Sequence, residues 1–261
     1  MRLLPSLLLT AALVSTAGAA QFHVPLHLPP HRCVPEAGAG KEFLLGLGAA
    51  SATGAGLAAS GPQGYWEFGA LGSNNVGFSA RGYGAALSGK VDPLRAGHSG
   101  GGGMSGGFEL DLLAAPHGKD GWRVYAGALA GLTSLDIRDP LTLTAEGSGL
   151  RVEPDNAFSV FLGLPVGVLV PVRLSKTWRL ELQADAVVFP AGVSFFSYTG
   201  LPPMMFGTSR RIDLHYGGGT RAGLLYAPWG LLLEAAFRFS TGTGNNSPLS
   251  YSALSAGLKL F

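Results

Sequence analysis

One stretch constrains this chain more than any other: Trp178-Arg179-Leu180-Glu181-Leu182-Gln183-Ala184-Asp185-Ala186-Val187-Val188. Read two at a time, Trp178, Leu180, Leu182, Ala184, Ala186 and Val188 fall on one face, and Arg179, Glu181, Gln183 and Asp185 fall on the other. Successive side chains of a strand point to opposite faces, so this is a strand with one apolar and one strongly polar side. A helix would spread the same charges around its circumference.

The pattern recurs. The acids of Phe108-Glu109-Leu110-Asp111-Leu112 share one face, and Trp122, Val124, Ala126, Ala128, Ala130 and Leu132 oppose Arg123, Tyr125 and Gly127. Ile212, Leu214 and Tyr216 oppose Arg211, Asp213 and His215, while Leu231, Leu233, Ala235, Phe237 and Phe239 oppose Glu234 and Arg238. Residues 158–170 are apolar on one face and small on the other (Ser159, Gly163, Gly167), and Phe43-Leu45-Leu47, Trp66-Phe68-Ala70 and Val76-Phe78-Ala80 follow more weakly.

The gaps alternate in length. Short turns fall at 72–75, 116–121, 174–177 and 227–230; longer connections fall at about 50–62, 88–103, 134–156, 189–209 and 241–250. Within 134–156, Leu141-Thr-Leu-Thr and Leu150-Arg-Val-Glu153 read as a hairpin that prolongs the barrel outward. Short turns at one end and long loops at the other are the layout of a closed antiparallel transmembrane β-barrel. The count is ten strands ending at Phe261, with eight as the alternative, and an even number puts both termini at one end.

Composition agrees. The chain is 47% hydrophobic and 13% charged, with 41 glycines in 261 residues, against about 25% charged in an average soluble domain. Disordered chains need the opposite balance, and a net charge of +2 without clustering offers nucleic acid no footprint. Hydrocarbon tolerates only helices and closed barrels, because every backbone group must be paired internally. Residues 43–66 and 186–209 are free of charge, but the first is mostly small residues and the second is broken by Pro190, Pro202 and Pro203, so neither reads as a spanning helix. A soluble secreted barrel or sandwich is the remaining alternative.

The amino terminus reads as an export signal over residues 1–20. Arg2 is followed by an apolar run to Val14 and by Ala17-Gly18-Ala19, the small residues a signal peptidase requires. Residues 21–40 form a Pro/His-rich segment on the periplasmic side, and the barrel covers 41–261. Cys33 is the single cysteine, so no internal disulfide forms. His23, His27 and His31 recur every four residues, but Pro25, Pro29 and Pro30 break the helix that would align them, so neither metal nor cofactor is expected.

On signal, alternation, loop asymmetry and the terminal Phe261, residues 41–261 resemble the small outer-membrane β-barrel proteins of Gram-negative type. The resemblance implies outer-membrane lipid as surroundings, and periplasmic chaperones and the barrel-assembly machinery as partners during biogenesis. That machinery is linked to a carboxy-terminal aromatic with apolar residues in phase. Here Lys259, Gly257 and Ser255 are in phase with Phe261, whereas Leu254, Leu258 and Leu260 are out of phase.

With apolar faces toward lipid, a charge network fills the lumen: Glu42, Glu67, Arg81, Glu109, Asp111, Arg123, Arg179, Glu181, Asp185, Arg211, Asp213, His215, Arg221, Glu234 and Arg238. Ten strands lie near the side-chain-filled end of the barrel series, so a plug of paired charges is favoured over an open or hydrophobic-solute pore. Asp213 and His215 share a strand face after a long loop and could serve a rim-located hydrolase or lipid-modifying enzyme as an acid/base pair. Gly97-His98-Ser99-Gly100-Gly101 matches a nucleophile elbow, but no helical segment follows it. Tyr65, Trp66, Trp122, Trp178 and Trp229 read as interfacial girdle residues. The charge-free 189–209 connection carries Phe195, Phe196, Tyr198, Met204, Met205 and Phe206, a contact surface for an unknown extracellular ligand or for the barrel itself. The expected role is therefore structural, adhesive or binding. Mass spectrometry of the exported protein is expected to show a mature chain starting at Ala20 or Gln21.

Overall fold

The computed structural model describes residues 40–54, 57–91, 101–117, 121–137, 156–197, 208–211, 214–242 and 248–260. They form β1 (Gly40–Gly54), β2 (Leu57–Leu71), β3 (Val76–Val91), β4 (Gly101–Ala114), β5 (Arg123–Ile137), β6 (Asn156–Arg173), β7 (Trp178–Ser197), β8 (Thr208–Arg211), β9 (His215–Tyr226), β10 (Leu231–Gly242) and β11 (Leu249–Lys259). Each strand pairs antiparallel with its neighbours, and the β6–β7 and β1–β11 ladders close the ring. β8 and β9 both pair with β7, through Val193↔Arg211 and Phe189↔His215, so they are two pieces of one interrupted stave. The barrel therefore has ten staves.

Register fixes its dimensions. Pairing carries Gly40 to Leu71, Gly77, Leu113, Tyr125, Gly167, Asp185, Gly219, Arg238 and Tyr251, and returns to β1 at Ala52, twelve residues above the start. With strands about 4.8 Å apart and about 3.3 Å per residue, that stagger tilts the strands by about 40° and gives a radius of about 10 Å. Among the described residues only the short β8 pairs on one side alone; the long strands are paired on both, so in lipid their ladders leave no exposed row of backbone donors and acceptors.

The alternation resolves into an inside-out wall. Leu47, Leu112, Leu164, Val166, Leu233 and Leu254 face outward and are exposed, while Glu67, Arg81, Glu109, Arg123 and Arg238 are buried within. At the turn end, Tyr226 packs at a tilt against Trp178 and edge-to-face against Trp229, where Gly230 takes a left-handed conformation (φ 63°) to turn the chain into β10. Leu254, Leu258 and Leu260 face outward and Ser255, Gly257 and Lys259 inward; Phe261 lies outside the described residues.

Some expectations hold and others need correction. The strands run further than the alternation suggested: only residues 55–56 separate β1 from β2, so 50–62 is not a long connection. The charge-free stretches 43–66 and 186–209 are strands wherever described, and among the described residues no helix is long and apolar enough to cross a membrane. β7 continues to Ser197, which puts Phe195 and Phe196 in a strand and not a loop. A register shift opposite Leu162/Leu164 explains the misreading. Phe189 is buried before it, whereas beyond it Ser194 is buried and Phe195 exposed. One inserted residue reverses the in/out phase. A strand, and not the helix a nucleophile elbow needs, begins at Gly101. The hairpin expected within 134–156, and Tyr198, Met204, Met205 and Phe206, lie outside the described residues, as do residues 1–39.

Glycine is abundant partly because inward aromatic rings need somewhere to lie. Tyr125 stands directly across from Gly167, and a Cβ there would fall 2.4 Å from the ring. Gly46 receives Tyr65 in the same way, at 2.1 Å. Gly167→Val is expected to lower unfolding stability by about 1–3 kcal/mol, as overpacking does. Tyr125→Ala in the same chain should recover part of the loss, measured by urea titration of the heat-modifiable form in vesicles.

Candidate functional site

The polar side chains of the wall converge in the lumen, because a barrel about 10 Å in radius brings long side chains from distant strands within reach of one another. Glu67 and Arg81 are direct partners on β2 and β3, with Arg81 Nε 3.4 Å from Glu67 Oε1. From β9, on the far side of the lumen, Arg221 Nη1 donates to the same Glu67 oxygen at 2.8 Å. Arg221 Nε donates to Glu234 Oε2 of β10 at 2.8 Å, and its Nη2 donates to that oxygen as well. Glu234 also accepts from the Tyr65 hydroxyl and, at 2.7 Å, from Ser255. Both guanidiniums lie over the Tyr65 ring, 5.3 Å from its centroid.

One linked layer thus ties β2 and β3 to β9, β10 and β11 through the middle of the barrel. Arg221 is its central strut. Its ionic members Glu67, Arg81, Arg221 and Glu234 are all buried, a condition that charged groups tolerate only when paired and hydrogen-bonded.

A second cluster lies beside it. Arg238 of β10 pairs with Asp185 of β7. Asp185 accepts from Tyr125 at 3.4 Å, and Tyr125 accepts from Gln183 at 2.7 Å. On β3, β4 and β5, Ser79, Asp111, Glu109 and Arg123 are all buried, with Ser79 Oγ 3.5 Å from Asp111 Oδ2. Nearer the turns, Arg179 pairs with Glu181 at 3.2 Å and Lys259 with Glu42 at 3.5 Å. A small void beside the central strut is lined by Leu169, Glu181, Gln183, Arg221, Gly223 and Glu234. Above the charged layer the inner wall carries few charges and mixes apolar with small polar side chains: Ala52, Leu87, Phe161, Phe189 and Leu249 are buried toward the loop end beside Ser105, Thr133, Ser159, Ser194, His215 and Ser240.

The other sequence-derived candidates fare differently. His215 begins β9, faces inward and is fully buried. Arg211 ends β8, and the Asp213 member of the expected Asp213–His215 pair lies outside the described residues. Among the described residues no group of three His, Cys, Asp or Glu side chains could hold a metal ion. Tyr65 is not a girdle residue: it points into the lumen, 6% exposed, while Trp66, Trp122, Trp178 and Trp229 face outward. The alternation already held that signal, since Tyr65 shares the phase of Glu67. Tyr83, Tyr125, Tyr251, Gln63 and Ser255 also line the interior and were not singled out as site residues, although Tyr251 donates to Gln63 at 3.1 Å.

Removing Arg221 alone should be costly. Arg221→Met leaves Glu67 and Glu234 buried without their shared cation, with an expected loss of about 3–5 kcal/mol. Glu234→Gln added to Arg221→Met, which leaves the Arg81–Glu67 pair balanced, should return most of it in the same vesicle unfolding assay.

No protein-family model matches the chain, and no curated protein sequence does. Solved structures do. The outer-membrane protease OmpT from Escherichia coli is similar over 84% of this chain and 95% of its own, at 13% identity and a TM-score of 0.50. A major outer-membrane protein from Thermus thermophilus covers 84% and 99% at 13% identity and a TM-score of 0.42. Ail, the attachment invasion locus protein of Yersinia pestis, covers 84% and 97% at 12% identity and a TM-score of 0.31. At such identities the likeness is one of fold, and the fold of this chain is that of the Gram-negative outer-membrane β-barrel proteins.

Proposed function

We propose that this protein is an integral outer-membrane barrel whose lumen is closed by its own side chains, and that it works by structure and by binding at its loop end. The observation that carries this reading is the Arg221 strut. A guanidinium that donates at once to Glu67 on one wall and Glu234 on the other lies across any solute path through the middle of the lumen. Tyr65 and Arg81 stack against the same layer, and the Arg238–Asp185 pair narrows the next level. Paired charges in a confined space shielded from solvent hold their geometry, since separating them would strand each one without a partner.

An open pore would carry its charges toward a water column, exposed, and not 2–8% accessible as Arg81, Glu67, Arg221 and Glu234 are. An enzymatic reading through His215 lacks the same support, because a fully buried imidazole offers no face to a macromolecular or lipid substrate.

In planar bilayers the wild-type protein is expected to give no discrete conductance steps. The combined Glu67→Ala, Arg221→Ala and Glu234→Ala variant, which removes the layer from both walls, should give them. Single-channel steps from the wild type would overturn the closed-lumen reading. His215→Ala is expected to leave outer-membrane proteolysis and lipid profiles unchanged.

A further inference from the structure

One register row of the inner wall lacks its middle side chain. Glu181 of β7, Gly223 of β9 and Glu234 of β10 are partners across three neighbouring strands. Two carboxylate side chains therefore stand on either side of a glycine. A Cβ placed on Gly223 has atoms of Leu232 and Glu234 as its three nearest neighbours, the closest at 3.0 Å, so the β7 side of the row is open. The next inward row is Leu169, Gln183 and Arg221, again direct partners. The two rows together line the small void beside the strut, about 10 Å³ in volume, roughly the space that one water molecule needs.

The polar side chains of these rows are shielded from solvent: Glu181 is 3% exposed, Gln183 and Arg221 5%, and Glu234 8%. They are not equally provided with partners. Glu234 accepts from Tyr65, Ser255 and Arg221, and Glu181 pairs with Arg179. Gln183 Nε2 donates to Tyr125 at 2.7 Å, but Gln183 Oε1 is buried and accepts from no protein group. A buried carbonyl oxygen without a donor is destabilising, and water satisfies such groups where a polar void has room for it. A cation suits this void less well. Both carboxylates already have an arginine partner, and the Arg221 guanidinium is part of the wall.

We propose that this void is a binding site for one water molecule, which donates one hydrogen bond to Gln183 Oε1 and the other to the Glu181 carboxylate. Through it the Arg179–Glu181 pair near the turns is joined to Gln183, and from there by way of Tyr125 and Asp185 to Arg238. Arg221 and Glu234 form the remaining polar wall, so the same water lies against the central strut. Gly223 makes the room, because a side chain there would fill the gap between the two glutamates. Clusters that lie side by side in the lumen thereby become one hydrogen-bonded unit. The site stands whether or not the lumen conducts.

A crystal structure at a resolution that shows ordered water is expected to place a single peak within hydrogen-bond distance of both Gln183 Oε1 and a Glu181 oxygen. An empty void, or a metal ion in it, would overturn the proposal. The bridging role is read by urea unfolding in vesicles, with heat-modifiable migration as the check that each variant folds. Glu181→Gln and Gln183→Leu are expected to depart from additivity by about fivefold or more in the unfolding equilibrium constant. The pair is then repeated in a Gly223→Ala background, where the added methyl has the movable end of Leu232 as its closest contact. With the void filled, the departure should fall below about twofold. An equal departure in both backgrounds would show that the two side chains couple without water, and would sink the bridge.

Discussion

The closed backbone ladder is the constraint on which everything else in this structure depends. In hydrocarbon an unpaired amide or carbonyl costs several kcal/mol, so a chain that crosses as strands must join its last strand to its first. Here β11 pairs with β1 from Gly54↔Leu249 to Leu44↔Lys259, and the ring closes with a twelve-residue stagger. That stagger, with ten staves, determines the width of the lumen. The width decides whether facing side chains meet or leave a channel between them. At this width an arginine on β9 reaches a glutamate on β2.

The lumen is then subject to a second constraint. Alternation that presents leucine and valine to lipid necessarily sends the polar residues inward, where little water can solvate them. They are tolerable because they are paired: Arg221 with Glu67 and Glu234, Arg238 with Asp185, Lys259 with Glu42. Aromatic residues fill what remains, and glycines admit their rings. Tyr65 over Gly46, Tyr125 over Gly167 and Phe161 over Gly131 are all directly opposed pairs. Part of the glycine content that sets this composition apart is thus packing space on the inner wall.

How much was legible beforehand follows from which interactions are local. The polar face of 178–188 could be read directly, since Arg179, Glu181, Gln183 and Asp185 follow one another two residues apart. Phe195 could not be placed, because the residue inserted in β7 breaks the period-2 alternation before it, and only the pairing with β6 shows that the strand continues. The reach of β1 and β2 past residue 50 was hidden for a different reason: Ala, Gly, Ser and Thr alternate too weakly in polarity to show a face, yet they pair along the whole ladder. Tyr65 was misassigned by residue type, although its phase with Glu67 held the answer.

The sequence by itself determined that this chain crosses a membrane as strands, and which side chains of most strands face lipid and which face inward. Side-chain direction alternates with each residue, so the in/out pattern is written locally. Only the tertiary structure decided which inward charges meet. Glu67 and Arg221 are 154 residues apart, and their meeting depends on the number of staves and on the stagger accumulated around the closed ring. No single strand encodes that sum.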